Sequence, residues 1–220
     1  KTYHISKRRL IRSIEILEDQ NNIEMKEQGS HILEHALVVG IDADLSAVAV
    51  EGGKAISRGV ELAVDEINAA GGILGRKIRI IAKDHRGNPS RGVFNIEQFA
   101  KMPNVLAVVG GVHTPVVLAE IDIIHTENML MLVPWAAGTA IVDNGYEPNN
   151  VFRVSVRDAE AASVLIDHAK QKGLSNVALV LERTAWGRSN LESLNQAANA
   201  SGVTITSIHL EDGVQSASVC

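Results

Sequence analysis

The chain has 220 residues, a formal net charge of −5, 45% hydrophobic residues and only 3% aromatics. That length makes one large or two small domains, and a core of Val, Ile, Leu and Ala favours helices packed on a parallel sheet. The acidic balance argues against a nucleic-acid partner. Cys220 is the single cysteine, which excludes an intrachain disulfide, and the eight histidines show no zinc-type spacing. No apolar run is long enough to span a membrane. No secretory leader is visible, so any export signal is expected to lie outside these residues.

Residues 1–35 differ from the rest. Lys7-Arg8-Arg9 is basic, Glu15 to Asp19 is acidic, and Leu10, Ile14 and Leu17 have helical spacing. An amphipathic helix and a polar linker are expected, serving either as a docking or tethering element or as a solvated extension. From Ala36 the pattern becomes regular. Ala36 to Ile41 reads as a strand and Lys54 to Ala69 as a helix ended by Gly71-Gly72. Lys77 to Lys83, Val105 to Val109 and Met129 to Val133 read as further strands. Pro89 to Lys101 and Pro115 to Glu127 read as the helices between them. The long segment Pro134 to Asn150 carries Gly138, Gly145 and Pro148, and it reads as a crossing between two lobes. Val151 to Ser155, Asp158 to Lys172, Asn176 to Leu181, Trp186 to Ala200 and Val203 to His209 continue the alternation. Such alternation implies parallel sheets with right-handed crossovers. The expected units are residues 1–35, a first α/β lobe over 36–150, and the start of a second over 151–220.

The most informative stretch is Gly110-Gly111-Val112-His113-Thr114-Pro115, between a strand and a helix. Thr114 reads as the helix N-cap and Pro115 as its first residue. A glycine turn at a helix N-terminus can hold an anion, because free N–H groups and the positive dipole end converge there. From local pattern alone the plainer reading, a cap that serves only its own helix, is the favoured one.

Residues 36–212 resemble the type I periplasmic binding proteins, in particular the leucine/isoleucine/valine-binding branch of ABC-transporter receptors. The resemblance rests on Gly59-Val60-Glu61-Leu62-Ala63-Val64-Asp65-Glu66-Ile67-Asn68-Ala69-Ala70-Gly71-Gly72, on Asp84 to Pro89, on Gly110 to Thr114, on Pro134-Trp135-Ala136-Ala137-Gly138-Thr139, and on Val151 to Ser155 with Trp186-Gly187. It implies two α/β lobes closing on a small ligand, with no enzymatic activity, no cofactor and no metal. By that resemblance, Thr114 and Thr139 meet the ligand carboxylate. Ala136 and Ala137 offer carbonyls to its ammonium. Asp158 lies near the amine, Trp186 covers the ligand, and Ser46 borders the cleft. The implied partners are a small molecule, an amino acid by type, and ABC permease subunits. The implied location is periplasmic or extracytoplasmic, with membrane contact only through a partner or tether.

Three departures from the family pattern stand out. The loop Asp42 to Gly53 has no aromatic to cover a ligand side chain near Gly52. An acidic residue that some members supply from late in the second lobe has no counterpart here. The family also continues through more of the second lobe and back to the first, so the fold is expected to be incomplete at the C-terminus and ligand binding weak in these residues alone. A ligand-sensing ectodomain of a signalling receptor is the competing function, since one fold serves both. A transcriptional regulator needs a helix-turn-helix that residues 1–35 do not spell. An enzyme lacks its motifs: there is no Gly-x-Ser-x-Gly elbow and no phosphate-binding Gly-x-x-x-x-Gly-Lys loop.

Overall fold

The computed structural model describes residues 36–210. The expected N-terminal helix and the C-terminal tail lie outside the described residues. Five strands form one parallel sheet in the order β2-β1-β3-β4-β5: β1 (Leu37–Ala43), β2 (Ile78–Asp84), β3 (Val105–Val109), β4 (Met131–Val133) and β5 (Val151–Arg153). A second, two-stranded parallel sheet pairs β6 (Asn176–Glu182) with β7 (Thr204–Leu210).

Helices cover both faces of the larger sheet. α1 (Val50–Ala69) lays Val64 and Val60 on Leu37 and Ile78. On the other face α2 (Pro89–Ala100) and α3 (Thr114–Thr126) bury Ile96, Phe99, Val117, Ile121 and Ile124 against Val108, Met131, Val133 and Val151. Gly40 in β1 makes this packing possible: a Cβ there would sit 2.9 Å from the Phe99 ring. Around the smaller sheet, α4 (Asp158–Gln171) and α5 (Ala185–Ser201) bury Ala162, Ile166, Leu194 and Ala198 with Leu179 and Val203. Gly202 ends α5 in the left-handed region at φ 74°, which suits glycine.

α1 starts at Val50, earlier than the expected Lys54. The Asp44 carboxylate explains this, since it accepts the backbone N–H groups of Ala47 at 2.7 Å and Ala49 at 2.8 Å and so organises the approach to the helix.

Two expectations need correction. Val151–Arg153 does not open the second lobe; it is hydrogen-bonded to β4 and forms the edge of the first sheet. The segment 134–150 is therefore not a crossing. It folds back on α3, where Tyr146 donates to Asp122 at 2.9 Å and stacks on His125 at 3.8 Å, and then returns to β5. The chain leaves the first sheet through 154–157 instead. Thr114 is likewise not the N-cap of α3: His113 occupies that position and Thr114 is the first helical residue. Its hydroxyl is thereby free to act across the loop.

Candidate functional site

Every strand of the larger sheet runs in parallel, so the loops that follow the strands gather at one edge. The chain runs from β1 outward to β2 and later from β3 outward to β4 and β5. This places a topological switch point between β1 and β3, the usual place for a ligand in such sheets. Two polar clusters lie at this edge.

The first cluster joins the loops after β1, β2 and β3. Ser46 donates its hydroxyl to Asp84 at 2.5 Å, and the Leu45 N–H reaches the same carboxylate at 2.9 Å. Burial alone raises the Asp84 carboxyl, but these bonds and those of Arg86 outweigh it and bring the group down to about 2. His113 donates from Nε2 to Asp44 at 3.1 Å. His85 is fully buried and accepts the Gly87 N–H at Nδ1 at 2.9 Å, so its proton sits on Nε2. Burial, aided by His113, pushes His85 down to about 4. Beneath them Asp42 and Glu120 are both fully buried, and Asn95 donates to Asp42 at 2.6 Å. Burial raises Asp42 to about 6 and Glu120 well above the carboxylate range. Two facing carboxyl groups with so few donors are stable only with a proton between them. Gly92 lets Glu120 approach, since a Cβ there would fall 2.3 Å from its Oε1.

The second cluster centres on Ala137-Gly138-Thr139. Ala137 and Gly138 are tied to the starts of two helices, and Thr139 to the second turn of a third. The Asp158 N–H at the head of α4 donates to the Ala137 carbonyl at 2.9 Å. Gly138 donates its N–H to the Thr114 hydroxyl, at the head of α3, at 3.3 Å. Thr139 donates its N–H to Ser189 of α5 at 3.1 Å. Gly138 must be glycine, because a Cβ would meet Thr114 Cγ2 at 2.4 Å. Helix N-termini carry partial positive charge, so helices that begin beside one tripeptide favour an anion there. Within this cluster two buried oxygens, Thr139 Oγ1 and Asp158 Oδ2, have no hydrogen-bond partner among the described residues. Native interiors rarely leave such atoms unpaired.

The structure thus brings together Thr114, Ala137, Thr139 and Asp158. Ala137 already has both acceptor directions in use, from Asp158 and from Arg153 Nη1 at 3.1 Å. Ala136 accepts Ser155 Oγ at 3.3 Å and keeps one direction open. The Thr139 amide is engaged by Ser189, which leaves its hydroxyl for the expected carboxylate contact. Ser46 stands apart, in the first cluster. Trp186, in the first turn of α5, is 43% exposed, so it is not core. Sequence reasoning missed Arg153 and Ser189. Arg153 also donates to the Gly138 carbonyl at 2.8 Å and so anchors the tripeptide from β5. Neither residue sits in a motif, and only the sheet order brings them here. Near Gly52, Val112 Cγ2 lies 2.7 Å and the Trp135 indole 3.8 Å from where a Cβ would be, so these side chains fill the space beside the glycine. Among the described residues no group of three or more His, Cys, Asp or Glu side chains is arranged to hold a metal ion, and no helix is long and apolar enough to cross a membrane.

Comparison with known proteins agrees with this architecture. Leu/Ile/Val-binding protein homolog 3 of Brucella melitensis biotype 1 is 32% identical over 169 residues, covering 76% of this chain and 45% of that protein. Leu/Ile/Val-binding protein BraC3 of Rhizobium johnstonii is 30% identical over 174 residues, covering 78% of this chain and 47% of that protein. The chain therefore spans about half the length of the curated relatives it matches. Among solved structures, the type 1 periplasmic binding protein of Bordetella pertussis Tohama I superposes with a TM-score of 0.74 at 27% identity, covering 83% of this chain and 51% of that one. These relatives are named as binding proteins. A family model described as periplasmic binding protein matches residues 37–218. The parallel sheet, the loops gathered at its edge and these matches agree: the chain belongs to the periplasmic binding protein family.

Proposed function

We propose that this protein binds an amino acid between its lobes and delivers it to an ABC-type permease from the extracytoplasmic side. The observation that carries this reading is the pair of buried, unpartnered oxygens in the second cluster. Thr139 Oγ1 lies where the first residues of α3 and α4 are tethered, and Asp158 Oδ2 belongs to the head of α4. A zwitterion answers both: its carboxylate takes hydroxyl donors near helix N-termini, and its ammonium takes a carboxylate. Thr114 and the Thr139 hydroxyl are assigned to the carboxylate. Asp158 and the open direction of the Ala136 carbonyl are assigned to the ammonium. Trp186 is assigned to the cover over the ligand. A plain carboxylic acid would leave Asp158 unmatched and repelled. The curated relatives' names, which specify leucine, isoleucine and valine, support the same ligand class for this chain.

Mass spectrometry of ligand released from the full-length protein, purified without added amino acids, tests this. The expected finding is a zwitterionic amino acid, with calorimetric rebinding after its removal. A sugar or nucleotide in its place would overturn the reading.

A further inference from the structure

We infer that Ser189, on α5 beside the smaller sheet, donates its hydroxyl proton to the carboxylate of the bound amino acid, so that the two lobes share that carboxylate. The inference rests on the amino-acid reading above and adds to it the second-lobe residue that reads the carboxylate.

Ser189 and Thr139 meet across the two sheets. Thr139 lies between β4 and β5 and opens the short 3-10 turn Thr139–Ile141. The first N–H of a helical turn has no carbonyl within the turn to bond, so it takes an acceptor from elsewhere. Here the acceptor is Ser189 Oγ, at 3.1 Å and 50 residues away along the chain.

The start of α5 is fixed where this meeting needs it. Thr184 caps the helix by accepting the Gly187 N–H at 3.2 Å. Gly187 is buried, and a Cβ there would fall 1.9 Å from the Glu182 carbonyl oxygen, so the first turn of α5 sits directly on the end of β6. Trp186 precedes Ser189 by three positions, which puts both on one face of the helix. The face that reaches Thr139 is thus the one that carries the half-exposed indole.

Hydroxyl chemistry supplies the rest. Ser189 Oγ accepts the Thr139 N–H with a lone pair and still has a proton to give. That proton is not spent on the Thr139 hydroxyl, because Thr139 Oγ1 is buried with no hydrogen-bond partner among the described residues. Two hydroxyls from two lobes therefore flank one amide without satisfying each other. A carboxylate has lone pairs enough to accept from both, and hydrogen bonds to a charged acceptor are stronger than neutral ones. Thr114 and Thr139 come from loops of the larger sheet, whereas Ser189 reaches the carboxylate only while α5 lies against the tripeptide. The carboxylate thereby favours that arrangement of the lobes.

The test is calorimetric titration of the full-length protein with leucine and with leucinamide, whose carboxylate is replaced by an uncharged amide, in the natural sequence and in Ser189→Ala and Ser189→Thr. Leucine affinity is expected to fall about tenfold or more in Ser189→Ala, as one hydrogen bond to a charged group is lost, while leucinamide affinity changes less than about threefold. Ser189→Thr, which keeps the hydroxyl, is expected to recover most of the leucine affinity. Equal weakening of leucine and leucinamide, as a purely structural role would give, or unchanged leucine affinity, would overturn the Ser189 contact while leaving the amino-acid reading intact. Failure of the natural sequence to bind leucine, or any other amino acid, would overturn both, which separates the two failures.

Discussion

Two polar clusters lie at the same edge of the same sheet, yet they close their hydrogen bonds differently. Around Asp44 and Asp84 almost every acceptor is met within the protein, by Ser46, Ala47, Ala49, His113 and Arg86. Below them Asp42 Oδ2, both Glu120 oxygens and His85 Nε2 are buried without a hydrogen-bond partner among the described residues, and burial raises both carboxyl groups, which favours a proton held between them. Around Gly138 the backbone is tied as tightly, but a hydroxyl and a carboxylate oxygen are left over. The first cluster is architecture: it sets where three loops leave the sheet. In the function proposed above, the second is the one that the ligand completes. Unpartnered buried atoms occur in both clusters; in the second they lie beside the heads of α3 and α4, which is the ground on which the ligand is proposed there.

The largest effects on stability are expected at the base of the first cluster. Glu120→Ala removes a fully buried side chain from between α2 and α3 and leaves Asp42 without its proton partner, at a cost of about 3 kcal/mol in thermal or denaturant unfolding. Glu120→Gln keeps the shape and sharpens the test through pH. Burial raises the folded-state pKa of Glu120, and next the Asp42 contact raises it further. Above the ordinary carboxylate range the folded state therefore holds a proton that the unfolded state has released, and stability falls as pH rises. Glu120→Gln does not titrate, so its melting temperature relative to the natural sequence is expected to climb between pH 5 and pH 8. Parallel profiles would contradict the shared proton.

The second cluster is expected to behave in the opposite way. Asp158→Asn keeps the shape of a buried side chain whose Oδ2 has no hydrogen-bond partner among the described residues, so the melting temperature is expected to change little. Amino-acid affinity is expected to drop by roughly 1.5–3 kcal/mol, the worth of a hydrogen bond to a charged group. A fall in stability with unchanged affinity would move Asp158 into the architectural class. Thr114 and Thr139 divide along the same line with smaller effects. Thr114→Ala loses the bond from Gly138 and is expected to lower both stability, by about 1 kcal/mol, and affinity. Thr139→Val, whose hydroxyl has no partner among the described residues, is expected to lower affinity alone. Calorimetry beside thermal melts separates the two.

The smallest effect is expected at Ser46. Its hydroxyl belongs to Asp84, so Ser46→Ala is expected to cost less than about 1 kcal/mol and to leave ligand affinity unchanged. The change shows best in acid. Asp84 is held at about 2, so its contribution is complete above the unfolded carboxylate value and is lost as pH falls through about 2. Ser46→Ala is expected to move acid unfolding upward in pH; an unchanged acid limb would contradict the bond.

The strand–helix alternation was legible because each element carries its own signal: Val105 to Val109 is uniformly apolar, and Gly71-Gly72 ends α1 at φ 108° and 84°. The loops 110–114 and 134–139 were singled out by family resemblance, and the Gly138–Thr114 bond shows that they meet. The crossing was not. The segment 134–150 has the length and glycines of a linker, and only the Tyr146–His125 stack and the β4–β5 pairing reveal that it returns to the same sheet. The start of α1 was missed because its approach is organised by Asp44 from the preceding loop, with Gly52-Gly53 obscuring the helical pattern. Thr114 was misplaced by one residue, and that single step turns a cap into a cross-loop acceptor. Arg153 and Ser189 could not be found from spacing, since they reach the tripeptide across 15 and 50 residues.

The central claim is that Asp158 is left unpartnered for a ligand ammonium. It is tested most directly by titrating the full-length protein, natural and Asp158→Asn, with leucine and with 4-methylpentanoate, which is leucine without its amine. The account predicts that the natural protein prefers leucine by at least about tenfold and that this preference collapses in Asp158→Asn. The same preference in both proteins, or equal binding of the two ligands by the natural one, would contradict it.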